Sequence, residues 1–381
     1  MNVDSTARIT NTSGAGIDRV ELNTIAARLG GMVLRTVMVE GRAVTATVDD
    51  QTVVVPLGGV LPPGATVPVR VAYRAKLQSS TSGTNWLFAR ANNVANVYRW
   101  LPWVSRRTPF DRPHHGDPFV TPVSPHVRVR INSDRAMVYA TTGDRVSADG
   151  LTQVFEARNV RDFTITGSPS YRTTSATVGE TTIRVYYLAG GPGAAMLRAA
   201  RNALTKMEPL VGDYPYRTYK VATSAGGYGM ESPGLTWIPP NTASGNLSFL
   251  IHHETAHQWF YGIVGNDQAR EPFPDEATTD FLARYVLGNR RASRCPVQRL
   301  DLSIYRYSRT CYFEVIYIQG GNLLDETRRQ MGNTTFWRAL REYVAENRFR
   351  LVPTETLLDT LDEHTSQDLS ERFAPKFPRL Y

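Results

Sequence analysis

His253-Glu254-Thr255-Ala256-His257, followed after eighteen intervening residues by Glu276 in Pro274-Asp275-Glu276-Ala277-Thr278-Thr279-Asp280, decides how the remaining chain is read. Four steps along a 3.6-residue helix return a side chain to nearly the same face, so His253 and His257 can grip one metal ion. Glu254 stands one step around that helix, where a carboxylate reaches a metal-bound water without becoming a ligand, the position of a general base. A catalytic zinc takes three protein ligands and keeps a fourth place for water. The motif therefore calls for one more ligand downstream, and Glu276 supplies it, for one zinc ion per chain. His, His and carboxylate suit zinc best, although cobalt or manganese can substitute in vitro. His252 lies five residues from His257, off the shared face, and reads as a packing or supporting residue.

Two flanking segments extend the pattern. Upstream runs the extended, glycine-rich Gly226-Gly227-Tyr228-Gly229-Met230-Glu231-Ser232-Pro233-Gly234; downstream stands Tyr317-Ile318-Gln319-Gly320-Gly321. Together with the metal motif they resemble the aminopeptidase N and leukotriene-A hydrolase family of zinc metallopeptidases, gluzincins with a thermolysin-like catalytic domain. Its members carry a G-x-M-E-N strand, then H-E-x-x-H, eighteen residues and Glu, then a Tyr in a Y-x-K-G-A segment. The resemblance runs from the N-terminal strands to the last residues.

The resemblance implies zinc held by His253, His257 and Glu276, with Glu254 taking a proton from the attacking water and Tyr317 stabilising the oxyanion. Tyr312 is the neighbour that competes for the Tyr317 role. Glu231 is expected to accept the free α-amino group of a peptide, and the run through Gly229 and Met230 to pair with the substrate backbone as an added strand. Asp280, one helical turn beyond Glu276, resembles the thermolysin Asp that orients a ligating His. Ser232 departs from the family's Asn, and no residue of the N-terminal half can be matched to the Gln that assists the amine contact in many members.

Residues 1–170 read as an N-terminal, β-sandwich-like all-β domain and 171–381 as an α+β thermolysin-like catalytic domain, the family's C-terminal helical domain being absent. Val67, Val69, Val71 and Tyr73 alternate with Pro68, Arg70, Ala72 and Arg74, and Val127, Val129 and Ile131 with Arg128 and Arg130, one face buried and one wet. An aromatic, Pro-rich stretch between about 96 and 118 reads as a long ordered loop plugging the space between domains. Beyond 181 the period predicts a helix near 193–211 ending at Gly212, an extended piece from Tyr219 to Ile238, and helices opening at Thr335 and Thr354 behind polar caps.

Net charge is +8, but the basic residues are scattered among 35 acidic ones without a long run, which argues for a solvated surface and against nucleic-acid binding. No stretch approaches twenty apolar residues, so no membrane span is expected. Met1 to Arg8 has neither the basic nor the apolar region of a signal peptide. In the family a strand usually precedes this point, so a leader removed from the chain is expected, and the compartment, cytoplasmic or extracytoplasmic, stays open. Cys295 and Cys311 flank an Arg-rich segment and lack metal-knuckle spacing; a disulfide between them would argue for an extracytoplasmic protein.

Three functions follow. The leading one is a zinc aminopeptidase acting on peptide substrates. The alternatives are a zinc endopeptidase or oligopeptidase on the same scaffold, and a peptide-binding module with a catalytically weak metal site.

Overall fold

Alternation governs the first half of the chain. Strand Thr66–Arg74 buries Val67, Val69, Val71 and Tyr73 and turns Arg70 and Arg74 outward; Ser124–Asn132 buries Val127 and Val129, with Ile131 half-buried. A computed structural model describes residues 1–104 and 121–381. Four sheets form here, all with antiparallel pairing, centred on Thr66–Arg74, Thr52–Leu61, Thr152–Val160 and Ile165–Ser168. The 96–118 stretch is only partly loop: strand Val94–Val97 enters it, Tyr98 and Trp100 are buried, and residues 105–118 lie outside those described.

The second half builds one mixed sheet in the order Arg172–Val178, Thr181–Tyr187, Thr218–Thr223, Leu235–Ile238, Met230–Ser232. Its two inner pairs are parallel, and helix Gly193–Val211 makes the crossover between Thr181–Tyr187 and Thr218–Thr223. That helix buries Met196, Ala200, Ala203, Leu204 and Met207 and stops at Gly212, whose φ of 106° favours glycine. Helices Ser244–Ala256, Thr278–Leu287, Gly320–Met331, Asn333–Glu346 and Thr354–Glu363 follow. Thr335 lies inside its helix, which is capped by Gly332. Thr354 is the first residue of its own helix, and its backbone N–H is taken by Glu271 Oε2 at 2.6 Å instead of by a polar cap. The fold is thus mixed α and β, and among the described residues there are five sheets and no helix long and apolar enough to cross a membrane.

Two apolar clusters fill the interior, and the mixed sheet belongs to both. Ile183, Val185, Tyr219, Val221 and Ile238 face the helices. Tyr186, Ala222, Met230, Leu235 and Trp237 face the antiparallel sheets, where Tyr98 meets Trp237 edge-on with ring centroids 6.0 Å apart. Period-two alternation puts neighbouring side chains on opposite faces, so one sheet closes two cores.

A buried cation stitches the halves together. Arg161, following strand Thr152–Val160, donates to the carbonyls of Thr121 (3.1 Å), Ile263 (3.1 Å) and Arg350 (3.0 Å), with a longer bond to Gly262. Burial pushes its guanidinium down to about 10. Beside it, buried Asp162 accepts from the Tyr261 hydroxyl, which also accepts from Arg99 Nη2 at 2.8 Å. Replacing Arg161 by Met leaves several buried carbonyls unpaired, each lost partner costing about 1–3 kcal/mol. Arg161→Met is expected to lower the thermal midpoint by several degrees in a calorimetric scan; an unchanged midpoint would mean that the interface does not depend on this cation.

Candidate metal centre and cleft

Helix Ser244–Ala256 carries the motif and is pinned from several sides. Tyr219 Oη lies 2.8 Å from Thr255 Oγ1, Trp259 Nε1 donates to Gly212 O at 2.8 Å, and His252 spans from Ser248 O (2.7 Å) to Asn202 Oδ1 (2.9 Å) on helix Gly193–Val211. His252 thus packs the helix and points away from the metal motif. His253 and His257, one turn apart, have ring centroids 4.9 Å apart and planes at 89°. Glu276 sits on a wide, π-helical turn, Phe273–Ala277, that leads into helix Thr278–Leu287. Such turns recur at functional sites.

Three donors converge there. Glu276 Oε2 lies 3.3 Å from His253 Nε2 and 3.5 Å from His257 Nε2. Ligands about 2.0–2.1 Å from a tetrahedral metal are about 3.3 Å from one another, so the spacing fits an ion that all three touch. Burial opposes the Glu276 charge, but the two imidazoles hold the carboxyl below the usual carboxylate range.

Asp275 supplies what the sequence reading sought in Asp280. Its Oδ1 accepts from His257 Nδ1 at 2.8 Å and its Oδ2 from Gln268 Nε2 at 2.7 Å, both buried. With Nδ1 donating, Nε2 of His257 keeps its lone pair for the metal side. Asp280 Oδ2 instead accepts from Arg284 Nε at 2.7 Å, one turn on. Its Oδ1 and His253 Nδ1 are both buried without a hydrogen-bond partner. The wide turn explains the difference, because it turns both 275 and 276 toward the motif helix. The signal was present in sequence as an acid directly preceding the expected ligand. Glu231, His257 and Asp275 also gather within 4.8 Å of one another, but His257 Nδ1 is already committed to Asp275.

Glu254 is buried, its Oε2 has no hydrogen-bond partner, and burial pushes its carboxyl up to about 7 against the pull of the two imidazoles. Gly229 stands directly over it: a Cβ built there would meet Glu254 Oε1 at 2.1 Å. Glu231 lies on strand Met230–Ser232, at the edge of the mixed sheet, where it pairs only with Leu235–Ile238 among the described residues. Met230, expected along the substrate, points its side chain into the core beside the antiparallel sheets. Only its backbone faces the open edge.

Tyr317 lies on a second π-helical segment, Phe313–Gln319. Its ring stacks on His253, with centroids 5.6 Å apart and planes at 17°. Tyr312 stands behind it, edge-on at 5.7 Å. Burial, and then the Glu276 carboxylate, push the Tyr317 phenol well above its ordinary value and keep its proton on. Gly320 explains the glycine pair that follows, since a Cβ there would lie 2.6 Å from Ala277 Cβ. Backbone contact at Gly320 lets the tyrosine segment close against the turn that bears Glu276.

Sequence reading also missed the wall contributed by the antiparallel half. Trp86 packs on Gly227, where a Cβ would strike its ring at 2.1 Å, and Asn92 Nδ2 and Asn96 Oδ1 bond the Ala225 carbonyl and N–H at 2.9 Å each. Cys295 and Cys311 are joined as a disulfide.

No protein-family model matches the chain. Leucine aminopeptidase 2 of Saccharomyces cerevisiae is 30% identical over 86 residues, which cover 21% of this chain and 13% of that protein. Solved structures are similar over nearly the whole length. The M1 zinc metallopeptidase of Deinococcus radiodurans superposes with a TM-score of 0.74 at 20% identity, covering 99% of this chain and 90% of that one. The chain has the fold of the M1 zinc metallopeptidases. A mutant of the Deinococcus protein bound to a Tyr-Ser-Ala substrate gives 0.72 at 21% identity over 99% of this chain and 90% of that one. A two-domain M1 mutant bound to L-tryptophan gives 0.72 at 20% identity over 97% and 88%.

The close approach at Gly229 makes a specific prediction. In Gly229→Ala the methyl group must displace the Glu254 carboxylate, and a displacement of about 1 Å costs on the order of 100-fold in rate. Peptide hydrolysis is expected to fall by that factor while bound zinc, measured by atomic emission, stays at the wild-type level. Wild-type turnover in this variant would show that Glu254 has room to move without loss.

Proposed function

We propose that this chain is a zinc aminopeptidase that removes N-terminal residues from peptides, built as a β-sandwich-like unit over about 1–170 and a thermolysin-like catalytic unit over 171–381. The observation that carries it is the position of Glu231: a buried carboxylate on an open sheet edge, within 4.8 Å of His257. A free ammonium group is the natural partner for an anion in that position.

His253, His257 and Glu276 would hold the zinc, which when bound acidifies water and polarises a carbonyl. Glu254, with its carboxyl near neutrality, is basic enough to take a proton from the attacking water and acidic enough to return it to the departing amine. Tyr317, kept protonated, donates its hydroxyl hydrogen to the oxygen on which charge develops. Asp275 fixes the orientation of His257. The outer edge of Met230–Ser232 hydrogen-bonds the substrate backbone, as an added strand would, and the Glu231 carboxylate receives the α-ammonium. The M1 mutants with bound Tyr-Ser-Ala and L-tryptophan support this reading by likeness of fold.

Hydrolysis of one peptide in free and N-acetylated form, with zinc content measured alongside, tests the proposal. The free form is expected to be cleaved at least 100-fold faster. Glu231→Gln should lower kcat/KM for it by about 100-fold, in line with the loss of a buried charge pair, and leave zinc bound. Equal cleavage of both forms would instead identify an endopeptidase.

In Glu254→Gln, turnover is expected to fall by about three orders of magnitude, as when a general base is lost, with peptide binding and zinc retained in calorimetry. Dialysis against a chelator should abolish activity and added zinc restore it. A wild type that holds zinc and binds peptides but cleaves neither form would indicate a binding module.

A further inference from the structure

The excursion between Cys295 and Cys311 carries Arg299, Arg306 and Arg309, none of which the proposed chemistry uses. Arg309 opens the short helix Arg309–Tyr312, is exposed, and donates from Nη2 to Tyr228 Oη at 2.9 Å. Tyr228 is 61% exposed and meets Trp86 edge-on at 6.0 Å. It is joined directly to Gly229, the residue that covers Glu254. On the other side, three residues beyond Arg309, Tyr312 packs against Tyr317. The bond between Arg309 and Tyr228 therefore links the glycine-rich wall to the tyrosine wall at the mouth of the cleft.

Two nearby arginines are neutralised; among the described residues Arg294 and Arg306 are not, but only Arg309 of these bonds the glycine-rich wall. Arg291 pairs with Glu314 and Arg299 with Asp301 at 2.8 Å, whereas no carboxylate among the described residues pairs with Arg309. The disulfide of Cys311 to Cys295 and the Ser308 side chain, which accepts from Cys311 N at 3.2 Å, hold the base of this short helix. A guanidinium so placed is a preorganised receptor for a carboxylate.

The substrate supplies one at a definite distance. With its ammonium on Glu231 and its scissile bond over Glu254, a peptide runs back along Met230 and Gly229 toward Tyr228. At about 3.3 Å per extended residue, the three steps from Glu231 to Tyr228 correspond to about three substrate residues. We propose that Arg309, held over the cleft by the Tyr228 hydroxyl, determines specificity by binding a carboxylate at the third substrate residue, either the C-terminus of a tripeptide or an acidic side chain. This inference rests on the aminopeptidase reading.

The test measures kcat/KM for release of the first residue from four substrates at low ionic strength: Ala-Ala-Ala, its C-terminal amide, and the amides of Ala-Ala-Glu and Ala-Ala-Gln. Wild type is expected to favour the carboxylate member of at least one pair by about 5- to 20-fold, as a charge-assisted contact at a wet rim allows, and salt should shrink the ratio. Arg309→Ala should bring the ratio below twofold, and Arg309→Lys, which keeps charge but not the fork, should leave an intermediate value. A ratio in the first pair assigns the C-terminus, and one in the second assigns the side chain. Ratios near one in wild type, or ratios that survive in Arg309→Ala, overturn the inference while the aminopeptidase reading stands on cleavage of the amides. Release of no first residue from any of the four overturns both.

Discussion

A carboxylate oxygen held 3.3 and 3.5 Å from two imidazole nitrogens in a mostly buried pocket forms an arrangement that polypeptide alone does not favour. Each donor has given up water, and lone pairs that face one another across such a gap repel unless a cation or protons stand between them. The surrounding structure supplies the restraint. The motif helix is bonded to the mixed sheet through Thr255 and Tyr219 and to helix Gly193–Val211 through His252 and Asn202, so the two His cannot turn outward. Asp275 completes the constraint from behind, and Gln268 holds Asp275 in turn. A metal ion that bound here would find its ligands already aimed, and part of the ordering cost would already have been met by folding.

The rest of the cleft is assembled by removing side chains. Gly227 lies against Trp86, Gly229 against Glu254 and Gly320 against Ala277, all at distances that no Cβ tolerates. In each case the glycine brings a backbone into contact with something the site needs: a wall, a carboxylate, a ligand-bearing turn. Conformational freedom explains only Gly227 of the three, with its φ of 92°. At Gly229 and Gly320 the reason is space.

Much of this was legible in the chain and some was not. The candidate triad was readable because helix periodicity and zinc coordination both count residues along the chain, and the side chains of His253, His257 and Glu276 come together at the spacing those counts suggest. The long helix ending at Gly212 and the alternating strands were readable for the same reason, since local period and local cap agree. Asp275 was hidden because its role depends on a π-helical turn, and a turn one residue wider than the α-helix shifts which acid faces the His; counting four from Glu276 led to Asp280, which bonds Arg284. Trp86, Asn92 and Asn96 were hidden because their contacts span more than 125 residues of sequence to the Gly-rich wall. The direction of the Met230 side chain was not legible because strand alternation has two phases, and only the second core shows which of them is used.

That phase has a consequence for Glu231. In strand Met230–Ser232, Met230 fills the core beside the antiparallel sheets, so its neighbour Glu231 must face the opposite side, toward His257. A slip of one residue in the pairing of Met230 with Trp237 and Glu231 with Thr236 would exchange the two, placing a carboxylate in an apolar core and a thioether beside His257. Burying that charge unpaired costs several kcal/mol, more than the strand's few hydrogen bonds return. The same apolar cluster that joins the sheet to the N-terminal half therefore sets the register of the edge strand. The antiparallel half acts on the proposed amine site through its core, because the burial of Met230, Leu235 and Trp237 against it sets the direction in which Glu231 points.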